Sequence, residues 1–319
     1  MSSLSHLPYG KILDYWHEKL AGNPNRIKFI LTKMIEIYSF KTNNKKNYVN
    51  PSNFVVFPVL KQNEIPENPK ISIVIPVYIK TSEDKEKLTS LLKSIDKQKH
   101  PPYEVIVVDD CSPIKLDISG NFIIHHLVRN SGPARARNIG KKIALENEAD
   151  VIAFTDSDCI LSENWVLKIL QEFKTQKKYH ILSGNTKSFG VTWFDTYHNI
   201  NGTLNGRRMK GTDKLLYGTT ANLAISSEVA RKIDFNEIFP DAAGEDIEYC
   251  FRANMQGFAI GYFSEMIVYH NYGYVKGSFL KNMTKFSKQF RKYGKGEGVL
   301  LEQIPNYYNY FDDTEEISV

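Results

Sequence analysis

Two aspartates separated by one serine follow a short apolar run near the middle of the chain. Residues 151–154 read Val-Ile-Ala-Phe, and Asp156-Ser157-Asp158 follows after one threonine. Such a run is typical of a buried strand in a parallel sheet, and these sheets bind ligands at the carboxyl ends of their strands. Two carboxylates at that edge repel each other unless a cation lies between them, and their oxygens suit Mg²⁺ or Mn²⁺ carrying substrate phosphates. A solvated turn is the alternative interpretation.

A second acidic pair, Asp109-Asp110, follows another apolar run at residues 105–108. Two acidic strand ends in one α/β sheet suggest a nucleotide diphosphate ligand, with one pair for the base and ribose and the other for metal and phosphates. A third pair, Glu245-Asp246, stands at the predicted start of a helix, where acidic residues favour the helix dipole whether or not they are catalytic. A structural role at the helix start and a catalytic role are both compatible with this position.

Alternating strand and helix patterns between residues 71 and 180 position these acidic residues. A capping signature of Thr81 and Asp84 precedes the first helical pattern, and Ser131-Gly132-Pro133 and Ser162 open the next two. Such alternation predicts a mostly parallel sheet with helices on both faces and right-handed crossovers. The predicted strands are residues 71–79, 105–108, 122–128 and the run that ends at 154.

The flanking regions divide the chain into an N-terminal extension (1–69), a main domain (70–273) and a C-terminal region (274–319). Residues 12–20 and 27–38 show helical patterns, the second with Asn23 as cap and Pro24 in its first turn, and a proline-containing connection follows. Within the main domain, residues 184–216 predict a long irregular loop, and residues 221–226 predict a strand. Residues 245–256 predict a helix ended by Gly257, and residues 260–270 predict a final strand pair.

The composition excludes several classes of protein. With 319 residues, 42% hydrophobic content and a formal net charge of +5, the chain can bury a large core and favours an anionic ligand without requiring nucleic acid. No apolar run approaches the roughly 18–20 residues that span a bilayer, and residues 1–10 lack a signal-peptide pattern, so we expect a cytoplasmic protein. Cys111, Cys159 and Cys250 include no Cys-x-x-Cys pair, which argues against a disulfide framework and a thiolate zinc site.

The C-terminal region begins with a helical pattern that has an aromatic face and a basic face. We favour a helix packed on the main domain with its lysines in water; the alternative is peripheral contact with an anionic membrane through residues 276–295. The apolar positions are Phe279, Met283, Phe286, Phe290 and Tyr293, and the basic ones are Lys276, Lys281, Lys285, Lys288, Arg291, Lys292 and Lys295.

Six short motifs follow one another between residues 72 and 270. They are Ser72-Ile73-Val74-Ile75-Pro76-Val77-Tyr78, Val107-Val108-Asp109-Asp110-Cys111-Ser112, Asn130-x-Gly132 with Ala136-Arg137-Asn138-x-Gly140, Asp156-Ser157-Asp158, Gly244-Glu245-Asp246 and Val268-Tyr269-His270. In type and order they resemble the motifs of family 2 glycosyltransferases. The resemblance covers about residues 70–295 and implies that residues 70–273 form a GT-A catalytic domain, an α/β fold with a mostly parallel Rossmann-like sheet.

The resemblance also implies a role for each motif. Asp158 would ligate a divalent metal, Mn²⁺ or Mg²⁺, with Asp156 reaching the ribose or a metal-bound water and His270 completing the site. Asp246 would be the catalytic base, with Glu245 binding acceptor or sugar hydroxyls. Nucleotide contacts are implied for Pro76, Val77, Tyr78, Asp109, Asp110, Arg135, Arg137, Asp156 and Ser157, and sugar or acceptor contacts for Thr219, Asn222 and Glu245.

These roles imply transfer of a sugar with inversion from a nucleotide-diphosphate sugar, with UDP favoured, to a hydroxyl of a glycan, lipid-linked or protein acceptor. Cys111 departs from the glycine that is usual in the family, and Ile79-Lys80 replaces the usual Asn-containing turn. The chain also lacks the Gln-x-x-Arg-Trp motif of processive synthases. Together with the lack of membrane spans, its absence favours transfer of one sugar at a time. We expect the protein in the cytoplasm, with peripheral contact with the inner face of the membrane as the alternative.

Two other functions fit parts of the same pattern. A phosphatase of the haloacid dehalogenase type would use Asp156 as nucleophile and Glu245-Asp246 as its later acidic pair, which leaves Asp109-Asp110 and Arg137 without a role. A non-catalytic nucleotide-sugar-binding protein would keep the pocket while Asp246 does no chemistry. A dinucleotide-dependent enzyme is disfavoured because no Gly-x-Gly-x-x-Gly follows any predicted strand.

Overall fold

The computed structural model describes residues 20–22, 25–44, 57–58, 62–239, 241–310 and 314–317. Most of the first predicted helix, including Ile12, Leu13 and Trp16, lies outside the described residues, as do the predicted cap Asn23 and Pro24. The described part of the N-terminal extension is chiefly its second predicted helix.

A central sheet of eight strands positions the acidic motifs. The described residues form eleven strands in two sheets: β1 (Ile71–Val77), β2 (Glu104–Asp109), β3 (Ile123–His126), β4 (Val151–Phe154), β5 (Cys159–Leu161), β6 (Ile181–Ser188), β7 (Arg207–Met209), β8 (Leu215–Tyr217), β9 (Leu223–Ser226), β10 (Ile260–His270) and β11 (Thr314–Glu316). The large sheet has the order β3-β2-β1-β4-β9-β6-β10-β5, while β11, β7 and β8 form a small second sheet. Four neighbouring pairs in the large sheet are parallel. The other three are antiparallel: β4 with β9, β6 with β9, and β5 with β10. The predicted mostly parallel sheet is confirmed.

Helices cover both faces of this sheet. They are α1 (Arg26–Asn44), α2 (Ser82–Asp96), α3 (Pro133–Glu146), α4 (Trp165–Thr175), α5 (Trp193–Asn201), α6 (Ser227–Lys232), α7 (Glu245–Met255) and α8 (Phe279–Gln303). Because side chains alternate along a strand, Val74 of β1 packs in one core with α3, α6 and α7. Ile73 and Ile75 pack in a second core with α2 and α4. The predicted capping box between Thr81 and Asp84 is present at the start of α2.

The prediction of an irregular loop at residues 184–216 is wrong. This stretch contains the end of β6, all of α5 and β7, and the start of β8. Helix α5 begins with a capping box between Thr192 and Asp195, a pattern that the sequence displays. The end of β6 is rich in poor strand formers, but its pairing with β10 from Ile181 to Ser188 outweighs their low propensity.

Two smaller predictions also need correction, and one short strand was not predicted. Residues 260–270 form one strand, β10, with an irregularity between Phe263 and Ile267, rather than a strand pair. The helix expected at Ser162 begins at Trp165, because residues 159–161 form the unpredicted strand β5. A three-residue strand carries almost no pattern of its own, and β5 is a strand because it pairs with the end of β10.

Helices α1, α5 and α8 form a layer beside the main sheet, here called the helical layer. Phe29, Phe194, Tyr197, Phe286 and Phe290 are buried in its core. The aromatic face of α8 is therefore largely buried against protein, as the packed-helix interpretation requires, while Lys281, Lys288 and Arg291 are exposed. In the described part of the chain, no helix is both long and apolar enough to cross a bilayer.

Candidate active site

The carboxyl ends of β1, β2 and β4 meet at one edge of the large sheet. Val77 pairs with Asp109 across β1 and β2, and Val74 pairs with Phe154 across β1 and β4. The backbone N–H of Asp110 donates to the Val77 carbonyl at 2.8 Å. Parallel pairing therefore brings the residues that follow each strand to the same edge.

Asp110 holds the loop that leads into α3. Its Oδ1 accepts the Ser131 N–H at 2.7 Å, and its Oδ2 accepts the Gly132 N–H at 2.8 Å and the Asn130 side-chain amide at 3.0 Å. Gly132 has a φ of 88°, a left-handed conformation that glycine adopts without steric cost. The buried carboxylate thus fixes the N-terminal turn of α3 and retains one acceptor site on Oδ1.

Asp109 stabilises the loop after β2 and does not line the cleft described below. Its Oδ1 accepts the Ser112 N–H at 3.0 Å and the Ser112 hydroxyl, and its Oδ2 lies 2.8 Å from His126 Nδ1. Cys111, between the two aspartates, has a φ of 60°. The left-handed region is strained for a side chain with a Cβ, which explains why glycine suits this position.

Arg137 joins two of the acidic motifs. Its guanidinium donates to Glu245 Oε1 at 2.7 Å and to Asp156 Oδ1 at 2.9 Å, and it is almost fully buried. Burying the charges of Arg137, Asp156 and Glu245 costs free energy, and their ion pairs offset this cost. Loss of one charge would therefore leave its partners buried and uncompensated. Glu245 Oε2 and Arg137 Nε are buried without a hydrogen-bond partner in the described residues. Glu245 therefore has a spare acceptor for a ligand hydroxyl.

Asp158 and His270 meet although they are far apart in sequence. Strand β5 pairs antiparallel with β10 so that Cys159 lies opposite His270, and the Asn271 N–H donates to the Asp158 carbonyl at 2.8 Å. His270 Nε2 lies 3.3 Å from Asp158 Oδ1. The Cys159 thiol belongs to the same cluster, in which one ligand atom of each residue lies within 4.8 Å of the others.

This cluster fits a divalent metal ion. Asp158 is partly exposed to the cleft, and His270 Nδ1 is buried without a hydrogen-bond partner in the described residues. A carboxylate and an imidazole are ligands that Mn²⁺ accepts, with water or phosphate oxygens in its other positions. The Cys159 thiol is a poorer ligand, because burial and then the charge of Asp158 raise its pKa well above the ordinary value.

Asp246 lies in the first turn of α7, next to Glu245. Its Oδ1 accepts the Ile247 N–H at 2.9 Å, and its Oδ2 is 3.4 Å from the Thr220 N–H. Burial, and then the charge of Glu245, raise the pKa of Asp246 to about 7, although Arg137 acts in the opposite direction. A carboxylate with a pKa near neutrality can hold or release a proton at physiological pH.

One cleft of about 480 Å³ collects most of the residues singled out from the sequence. A volume of this size is typical of a small-molecule site. Lining residues from the sequence predictions are Pro76, Val77, Tyr78, Asp110, Arg137, Asp156, Ser157, Asp158, Thr219, Glu245, Asp246 and His270.

Asp109, Arg135 and Asn222, also singled out from the sequence, do not line this cleft. Arg135 is half exposed and pairs with Glu237 at 3.2 Å on the surface. Asn222 is fully buried, where its side chain accepts the Trp165 indole N–H and donates to the Met266 carbonyl, both at 2.8 Å. These positions do not support the expected ligand contacts of Asp109, Arg135 and Asn222, because each side chain already has protein partners.

The helical layer forms a wall of the cleft that the sequence did not predict. Lys33 Nζ lies 2.9 Å from Glu36 Oε2 and donates to the Asn201 side chain at 3.2 Å, and the Tyr197 hydroxyl also donates to Glu36. Lys33, Glu36 and Asn201 line the cleft, together with Tyr293 from α8. These residues belong to three helices that are distant in sequence, so spacing alone could not group them.

Comparisons with known proteins show which family the chain belongs to. The family model described as "Glycosyl transferase family 2" matches residues 72–239. The hyaluronan synthase of Streptococcus pyogenes is 30% identical over 127 residues, which cover 36% of this chain and 29% of that protein. The uncharacterized glycosyltransferase YwdF of Bacillus subtilis is 32% identical over 116 residues, covering 35% of this chain and 41% of that protein. The chain thus spans well under half the length of these relatives.

Among solved structures, the crystal structure of S. aureus TarS 1–349 in complex with UDP has a TM-score of 0.49 and 21% identity, covering 75% of this chain and 70% of that chain. The family assignment depends on the family model. That model covers more than half of the chain and includes the strand ends that carry Asp110 and Asp158. The chain belongs to glycosyl transferase family 2.

Proposed function

We propose that this protein transfers a single glycosyl group, with inversion, from a nucleotide-diphosphate sugar to a hydroxyl acceptor. The observation that carries the proposal is that Asp110, Asp158 and Asp246 line one cleft. Family membership supports the reaction class. Strand pairing brings Asp110 and Asp158 to one edge of the sheet, and Asp246 reaches the same cleft from the start of α7. A donor–acceptor site gives three carboxylates in one cleft a chemical role.

The nucleotide would occupy the cleft near the ends of β1 and β2. Tyr78 is partly exposed, with the Lys80 ammonium 4.7 Å from its ring centroid, and can stack against a base. The free acceptor site on Asp110 Oδ1 suits an imide N–H or a ribose hydroxyl. Asp158 and His270 would hold Mn²⁺ or Mg²⁺, which when bound would offset the charge of the departing diphosphate.

The acceptor would approach from the side of α7. Its oxygen bonds to the sugar C1 while the bond from C1 to the diphosphate oxygen breaks and its electron pair leaves with the diphosphate. Asp246 takes the hydroxyl proton, which its pKa of about 7 permits at neutral pH. The unpaired Oε2 of Glu245 would accept a hydrogen bond from a hydroxyl of the sugar or acceptor. Attack opposite the leaving group inverts the anomeric centre.

The phosphatase alternative is not favoured. Asp156 Oδ1 is held by the buried Arg137 guanidinium, which stabilises its charge and reduces its strength as a nucleophile. A non-catalytic sugar-nucleotide-binding protein would share the cleft and differ only in lacking turnover. Nucleotide binding and sugar transfer must therefore be measured separately.

The test measures melting temperature with UDP or GDP, with and without Mn²⁺, because a ligand that binds the native state stabilises it. We expect stabilisation by one nucleotide that increases with Mn²⁺ and loses this metal dependence in Asp158→Ala. Asp96→Ala, an exposed residue of α2, serves as the matched control. Indifference of the wild-type protein to every nucleotide would contradict the proposal.

A second measurement follows release of the nucleotide diphosphate from UDP- and GDP-sugars. Asp246→Asn should keep nucleotide-dependent stabilisation and lose turnover by roughly 100-fold or more, because it removes the base. Unchanged turnover in this variant would exclude Asp246 as the base. Binding without turnover in the wild-type protein, across donors and hydroxyl acceptors, would favour the non-catalytic alternative.

A further inference from the structure

The outward face of α1 carries an exposed apolar stripe. Ile27, Leu31, Met34 and Tyr38 follow spacings of four, three and four residues, and between 42% and 73% of each residue is exposed. The opposite face of the helix is buried in the helical layer through Phe29, Ile37 and Phe40. Apolar side chains exposed over three helical turns indicate a surface that contacts a binding partner.

A basic edge on α8 runs beside this stripe. Lys28 lies 5.7 Å from the Phe279 ring near the start of both helices, and Asn44 donates to Glu297 at 3.2 Å farther along both. The two helices are therefore parallel neighbours. The exposed residues of this edge are Leu280, Lys281, Lys288, Arg291 and Lys295, with Leu280 80% exposed, and Lys276 is exposed just before the helix begins.

The charge on this edge has one sign. From residue 271 to residue 296 the sequence contains seven basic residues and no aspartate or glutamate. Glu36, the only acid of α1, is buried in its ion pair with Lys33. Up to residue 296, the exposed surface of the two helices thus combines apolar side chains with positive charge that neither helix offsets; Glu302, in the last turn of α8, is the exposed acid of this pair of helices.

We propose that this stripe and this basic edge form a docking surface for an anionic lipid bilayer. Apolar side chains of an interfacial helix enter the boundary between headgroups and acyl chains, while lysine and arginine contact lipid phosphates. The complementarity is to negative charge, and a second copy of the chain would present the same positive edge. The aromatic face of α8 takes no part, because Phe286 and Phe290 are buried.

Docking in this way would place the cleft close to the membrane. The inner sides of the same helices contribute Lys33, Gln289 and Tyr293 to the cleft lining. If the proposed function holds, an acceptor hydroxyl attached to a lipid could then reach Asp246. Only this consequence depends on the proposed function, because docking itself is tested without any measurement of transfer.

The experiment is sedimentation of the full chain with vesicles of phosphatidylcholine alone or mixed with phosphatidylglycerol, at low and high salt. We expect binding that requires phosphatidylglycerol and weakens at high salt. The variant pairs Leu31→Gln/Tyr38→Gln and Lys288→Glu/Arg291→Glu should each weaken binding by about tenfold or more. The matched controls are Val128→Gln for exposed apolar area and Lys115→Glu/Lys142→Glu for charge, because these residues are exposed and lie outside both helices.

Several results would overturn the proposal. Equal binding to both kinds of vesicle, absence of binding, or equal losses in the control variants would each contradict it. Light scattering provides a second readout: a dimer that Leu31→Gln/Tyr38→Gln converts to monomer, without lipid binding, would assign the stripe to self-association. A large fall in melting temperature with the same variant, again without lipid binding, would assign the stripe to packing within the chain.

Discussion

The two sides of the cleft are built in different ways. The strand-end side, with Asp110, Asp156 and Asp158, consists of short motifs that directly follow parallel strands. The helical side consists of single residues from α1, α5 and α8, such as Lys33, Asn201 and Tyr293. Backbone pairing between strands fixes the geometry of the strand-end side, whereas the geometry of the helical side depends on how the helices pack. This difference suggests that one side of the cleft can be altered without altering the other.

Arg137 lies where the strand-end side meets α7, and its removal should have the largest effect. Arg137→Ala leaves two carboxylates without their shared cation, so we expect the free energy of unfolding to fall by about 3–5 kcal/mol. Urea denaturation measures the change. Arg135→Ala, which removes an exposed pair with Glu237, is the control and should cost about 1 kcal/mol or less. Similar losses in both variants would refute the role of Arg137 as a buried link.

Phe286 tests whether the helical side can be weakened separately. Its fully buried ring packs 5.0 Å from Tyr197 and 4.4 Å from Phe290 between ring centroids. Phe286→Ala should lower the free energy of unfolding by about 3–4 kcal/mol, because it leaves a cavity. Calorimetric titration should nevertheless show nucleotide affinity unchanged within about twofold, since no strand end is altered. Phe279→Ala, at a partly exposed ring, is the milder control, and a marked loss of nucleotide affinity would show that the two sides are coupled.

Asp246 should make stability depend on pH. Its folded pKa of about 7 lies above the ordinary value of 3.8, so the folded protein keeps a proton that the unfolded chain loses between these values. The contribution of this group to stability is therefore complete below about pH 4 and lost as pH rises through about 7. We expect Asp246→Asn to increase the free energy of unfolding by about 3–4 kcal/mol at pH 8 and to match the wild type near pH 4.

Urea denaturation at several pH values measures this difference. Asp96→Asn, at an exposed position of α2, should leave the free energy of unfolding within about 0.5 kcal/mol of the wild type throughout. A constant difference between Asp246→Asn and the wild type at all pH values would mean that Asp246 titrates alike in the folded and unfolded states.

Cys111 should have the smallest effect. Its φ of 60° is strained for a side chain with a Cβ, so Cys111→Gly relieves strain while increasing the entropy of the unfolded chain. The balance should be a gain of at most about 1 kcal/mol, measured as a rise in melting temperature. Cys111→Ala keeps the Cβ and removes only the thiol, and an equal gain in this control would exclude backbone strain as the cause.

The sequence was most informative where a motif follows its own strand. Asp110 and Asp158 line the cleft because strand order and parallel pairing leave little freedom for the next residue. The same reasoning did not separate Asp109 from Asp110, because neighbouring residues at a strand end point in different directions. Only the structure shows Asp109 turned toward Ser112 and His126. Arg135 lies between two motif residues, Gly132 and Ala136, but pairs with Glu237 outside the cleft, and Asn222 is likewise held by partners outside it.

What the sequence determined by itself was the alternation of strands and helices, the acidic residues at their ends and the two chemically distinct faces of α8. These features depend on local periodicity, which can be recognised without knowledge of distant contacts. The tertiary structure decided which carboxylate enters the cleft, that Arg137 joins Asp156 to Glu245, and that α1 and α8 close one side. Such contacts join residues about 20 to 250 positions apart, and a single sequence encodes them only through the packing of the whole chain.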